Sequence, residues 1–216
     1  GRRLYGDDAG LLAGIVMATV VGNALFVRKA SADQLFVFCL TLAIYGFLRD
    51  AERAGRGRLR FLLFYLGVAL GVLAKGFIGL LALVIVGLAL GIVRRLSWRD
   101  LNLVRGAALV AVVAGPWHAL VAWRSPTLFG VYVLDAHLLR FFDARRYVEA
   151  DVPISTLGFL AASFVWVFPW GVFTLARAEP RRTPSARWRQ IIVLWLVVVV
   201  GVFALSRFKH EYYALP

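Results

Sequence analysis

From Phe61 to Val93 the chain reads FLLFYLGVALGVLAKGFIGLLALVIVGLALGIV, with one charge, Lys75, near the middle. A helix crosses a bilayer in about 20 residues at about 1.5 Å each, so a run of this length, roughly 50 Å if helical, is too long for one crossing. It reads as two spans joined at AKG, with Gly76 taking the turn. Lys75 then lies at a membrane surface, since a lone cation at the bilayer centre costs at least ~2.5 to 3.5 kcal/mol.

The rest of the chain agrees with a membrane setting. Hydrophobic residues make up 61% and charged residues 17% of the 216, against about 25% charged in soluble domains, and the mean hydropathy is +0.77. The fold class expected is all-α, a polytopic membrane helix bundle. Apolar runs suggest seven spans, near 10–27, 33–48, 60–74, 76–93, 104–123, 154–176 and 190–206. Pro116 and Pro169 fall inside two of them and are expected to kink them. Small residues four apart, Gly14/Ala18/Gly22, Gly67/Gly71 and Gly87/Gly91, suit close helix packing.

The net charge of +13 does not call for nucleic acid, because the charges sit in short loops between apolar runs rather than on a soluble basic face. If spans alternate in direction, the loops 1–9, 49–59, 94–103 and 177–189 hold fourteen Lys and Arg, and the opposite loops nine. The positive-inside rule makes the first set cytoplasmic and puts Lys75 outside. His137 and His210 fall in outer loops, and His118 lies toward the outer end of its span, where it reads as a satisfied polar residue between helices. The single cysteine, Cys39, excludes an internal disulfide.

The long outer loop 124–153 is too apolar for a free loop and too interrupted for a span, which fits a helix lying in the interface. His137 and Arg140 share a face there, and Arg suits an anion. An amphipathic helix meeting headgroups accounts for the same pattern. Asp33 heads a span, either as a helix N-terminal residue behind Ser31 or as a carboxylate at the outer mouth beside Arg28 and Lys29. Lys75 has a plain reading as a snorkelling turn residue.

In order along the chain, FVRKASADQLFVFCLTLAIYGFLRD, LAKG, GPWHALVAWRSPTLFGVYVLDAHLLRFF, FPWGVF and SRFKHEYYALP resemble the bacterial membrane glycosyltransferases related to protein O-mannosyltransferases and to the lipid A aminoarabinose transferase, which share the type-C glycosyltransferase fold. That resemblance implies transfer of a sugar from a polyprenyl-phosphate donor to a lipid, glycan or protein acceptor, at an active site on the outer face of the bacterial inner membrane. It implies that Lys75, Arg140 and Lys209, with His137 and Tyr213, bind the lipid phosphate or the donor, and that Asp33 and Arg28 give polar support.

The family's catalytic carboxylate lies in a first outer loop that precedes the matching region. Residues 1–216 are therefore expected to form one transmembrane domain of a longer protein, to lack the base and to be inactive alone. No cofactor is fixed by the resemblance. A divalent metal stays open, since the family often has Glu before the His at 137 and here Ala136 stands there. Sugar, acceptor, lipid length and oligomeric state are not set by the sequence.

The runner-up is a transporter or flippase for a lipid-linked anion, which would place ionisable residues on both sides of the midplane. In this chain they crowd one side, which favours the enzyme. A scaffold without a substrate would leave the outer cluster unexplained.

Overall fold

A computed structural model describes residues 1–26, 28, 32–52, 57, 59–92, 96–133, 154–175 and 186–206. Within these the regular structure is helical. A short α1 (Arg2–Tyr5) leads into α2 (Asp7–Thr19) and α3 (Val21–Phe26), then α4 (Ala32–Ala51), α5 (Leu62–Lys75) and α6 (Leu81–Ile92). After these come α7 (Leu103–Arg124), α8 (Pro126–Gly130), α9 (Thr156–Trp166) and α10 (Ala186–Leu205), with 3-10 segments at Gly76–Leu80, Trp98–Leu101 and Trp170–Leu175. Among the described residues four stretches are long and apolar enough to cross a membrane: Ala32–Ala51, Leu62–Ile92, Trp98–Arg124 and Ala186–Leu205.

The tightest pair is α4 against α5, packed antiparallel. Its closeness comes from glycine: a Cβ on Gly67 would lie 2.6 Å from the Ala43 nitrogen, and one on Gly46 would lie 2.6 Å from the Phe64 nitrogen. Any larger residue at Gly67 would force the two backbones apart. Around this seam Phe47, Phe61, Phe64 and Val68 are wholly buried, and Ile85, Phe159, Ile191 and Phe203 join them from α6, α9 and α10. Much apolar surface is left outside, with Val104 84% and Val112 72% exposed on α7. A helix with such a face needs an apolar neighbour, which hydrocarbon supplies.

The stretch Leu62–Ile92 is not one rod. Gly76 has φ 68 and ψ −146, a conformation open to glycine, and ends α5. Gly79 then packs directly on the backbone of Gly71 and Val72, which eight residues of straight helix, about 12 Å, would keep apart. The chain folds back at Lys75 as its length requires.

Two expected spans end differently. The run 10–27 is divided at Val20, which is extended at φ −62 and ψ 130. No proline or glycine occupies Val20 itself. The break is tertiary: the Val21 N–H donates to the Phe168 carbonyl at 3.0 Å, and the Trp170 indole N–H donates to Thr19 Oγ1 at 2.8 Å. Asn23 Nδ2 donates to the Met17 carbonyl at 2.9 Å, taking up an acceptor that the missing turn leaves. The run 154–176 is likewise α-helical only to Trp166; the chain then leaves the helix, so that Phe168 and Trp170 meet α3 and α2, and resumes as the 3-10 segment Trp170–Leu175. Pro116, by contrast, stays inside α7.

At the opposite end of the α4/α5 pair from Lys75, Asp50 is 1% exposed. It accepts from the Phe61 N–H at 2.8 Å and from Arg49 Nε at 2.9 Å, while Arg60 Nε donates to its carbonyl at 3.2 Å. This staple closes the turn between the two helices, where Phe61 takes φ 63.

Candidate functional site

The register of α4 against α5 decides what Lys75 meets. Pairing Gly46 with Phe64 and Ala43 with Gly67 puts the first turn of α4 beside the last turn of α5. Lys75 Nζ forms an ion pair and hydrogen bond with Asp33 Oδ1, and lies 5.7 Å from the centre of the Phe36 ring. Both side chains are about three-quarters buried, at 25% and 26% exposure.

Each charge also suits its helix end, because Asp33 lies in the first turn of α4 and Lys75 in the last turn of α5. Asp33 is thus a helix N-terminal residue, and its side chain is paired with Lys75. For a phosphate the arrangement offers an ammonium whose direction is already fixed by a carboxylate and a ring.

Arg28 is exposed and stands outside this pair. His137, Arg140, Lys209 and Tyr213 lie outside the described residues, as do Ser31, Lys29 and Ala136. Among the described residues no group of three His, Cys, Asp or Glu could hold a metal ion.

His118 is satisfied locally. Its Nδ1 lies 2.8 Å from the Ala114 carbonyl, which can only accept, so that nitrogen carries the proton. Its Nε2 is left as an acceptor and faces the Tyr132 hydroxyl at 3.5 Å. Burial pushes the Tyr132 phenol above its usual pKa, which keeps it a donor. The pair ties α7 to the turn after α8, from which the chain enters the segment bearing His137 and Arg140.

The FPWGVF segment also acquires a role that sequence reading did not assign. Phe168 and Trp170 fill the break between α2 and α3 through the two hydrogen bonds above, and Trp166 meets Phe26 edge-on at 5.4 Å.

Comparison with known proteins bears on the whole arrangement. The undecaprenyl phosphate-alpha-4-amino-4-deoxy-L-arabinose arabinosyl transferase 1 of Pseudomonas fluorescens strain Pf-5 is 30% identical over 226 residues, covering 100% of this chain and 39% of the relative. The corresponding transferase 1 of Proteus mirabilis is 26% identical over 196 residues, 85% of this chain and 33% of that protein. The chain thus spans at most 39% of the length of these relatives.

In fold it is similar to ArnT from Cupriavidus metallidurans, whose crystal structure was determined bound to undecaprenyl phosphate. The TM-score is 0.78 at 19% identity, over 99% of this chain and 39% of that one. Residues 1–120, more than half of the sequence, match the profile of the dolichyl-phosphate-mannose-protein mannosyltransferases, and the chain, a multi-pass membrane protein, belongs to that family.

Proposed function

We propose that residues 1–216 are one transmembrane domain of a glycosyltransferase that takes a sugar from a polyprenyl-phosphate donor and passes it to a hydroxyl acceptor on the outer face of the bacterial inner membrane. The observation that carries this reading is the Lys75–Asp33 pair, a fixed cation at one end of the helix pair in a chain of this family. The relatives named for an undecaprenyl phosphate-linked aminopentose support a polyprenyl-phosphate pentose as donor. The seven-span count, with an interfacial helix in the outer loop 124–153, belongs to the same proposal, and it puts Lys75, Arg140 and Lys209 on one side.

The chemistry follows from charge. As the glycosidic bond breaks, the departing lipid phosphate gathers negative charge, and an ammonium at headgroup depth binds it more strongly than it binds the ground state. Lys75 fills that role, with Arg140 and Lys209 beside the same group and His137 and Tyr213 on the donor. Asp33 holds Lys75 in place, and Arg28 lends positive charge at the rim. The acceptor's proton goes to a carboxylate base outside residues 1–216.

The test uses the full-length protein. Lys75→Ala and Arg140→Ala each slow transfer by roughly 2 to 4 kcal/mol, a factor of about 30 to 1,000, while Arg56→Ala leaves the rate near wild type. The double variant Asp33→Asn/Lys75→Met, which removes both charges of the pair, is measured alongside, with thermal stability in detergent. It keeps its fold and loses the rate. Near wild-type transfer by Lys75→Ala would reduce the lysine to a turn residue and end this reading of it.

A further inference from the structure

Asn23, one helical turn past the break at Val20, is 7% exposed, and its Oδ1 is buried without a hydrogen-bond partner among the described residues. Its Nδ2 is fixed on the Met17 carbonyl. Turning the amide over would set oxygen against oxygen, so a flip does not relieve the orphan. A buried acceptor left in this state costs about 1 to 3 kcal/mol, which fold stability alone gives no reason to bear.

The surroundings are aromatic. Trp166 packs edge-on to Phe26, Phe168 is 55% exposed beside the break, and Trp170 lies 5.8 Å from Phe173 between ring centres. Aromatic faces accept the C–H face of a sugar ring, and a neutral amide oxygen accepts from its hydroxyl or amino group. The same oxygen has nothing to offer a phosphate, which also accepts. Only residues 27–31 separate α3 from α4, and they span at most about 22 Å, so the end of α3 lies within that distance of the first turn of α4, which carries Asp33.

From this we infer that the joint between α2 and α3 is a subsite for the sugar of the lipid-linked donor, with Asn23 Oδ1 accepting from a sugar O–H or N–H. The inference rests on the glycosyltransferase reading and divides the donor between two places, phosphate at Lys75 and sugar at Asn23. The bonds Val21 N–H to Phe168 O and Trp170 Nε1–H to Thr19 Oγ1 are the ones that part to admit it.

The test measures binding to the full-length protein of a pentose-bearing polyprenyl phosphate and of the same polyprenyl phosphate without sugar. The wild type binds the first about tenfold more tightly. Asn23→Leu brings the ratio close to one and leaves the bare lipid's Kd unchanged. Asn23→Ser, polar but too short to reach the same position, does the same and covers the case in which the leucine variant misfolds. A preference retained in Asn23→Ser, or one absent from the wild type, overturns the subsite. A bare-lipid Kd left unchanged by Lys75→Ala would instead overturn the phosphate site at Lys75 that the proposed function rests on.

Discussion

Asp50 carries more of the structure than any arginine around it. Its carboxylate is buried and holds the Phe61 N–H together with Arg49, so its removal strands a buried backbone donor at a residue whose φ is positive. Asp50→Ala is expected to lower stability by about 3 kcal/mol, read as detergent thermal or urea unfolding, whereas Arg49→Ala, whose side chain is 25% exposed, costs about 1 kcal/mol or less. None of this is visible in the sequence RDAERAGRGRLR, where Asp50 and Glu52 both stand among arginines. Lys75 differs, because the length of the apolar run forces it to a surface. That it meets Asp33, 42 residues earlier, depends on the register of two helices, and composition does not carry register.

Among the elements, the α4/α5 pair was the more legible, since small residues at Gly67 and Gly71 announce a close contact, and Gly67 makes it. Gly14 has the same spacing pattern, yet a Cβ there would meet nothing within 4 Å. Gly67→Val is therefore expected to destabilise by at least about 1 to 3 kcal/mol, and Gly14→Ala to be neutral in the same melts. Gly76→Ala, placed in a conformation that only glycine readily adopts, should cost about 1 to 3 kcal/mol. The break at Val20 was not legible. Its cause is a carbonyl at Phe168, far along the chain, and no local signal marks it.

For the whole molecule, the ends of α4 and α5 give a test of orientation. With Cys39 replaced by Ala, Glu52→Cys should react only with reagents applied from the cytoplasm and Arg28→Cys only with those applied from outside. Labelling of both from one side would overturn the topology and with it the outer placement of Lys75.

The pairing of Lys75 with Asp33 also bears on how the protein is made. In the proposed orientation Lys75 passes to the trans side of the membrane against the tendency that keeps cations in the cytoplasm, and Asp33 goes to the same end. A hairpin whose two translocated charges neutralise one another crosses as a dipole, at lower cost than an isolated ammonium. Biogenesis of the first half of the chain is thereby tied to α4 and α5 entering the bilayer together. Asp33→Asn would then show its defect during synthesis, as a fraction of molecules with inverted or uninserted hairpins, before any mature protein is assayed.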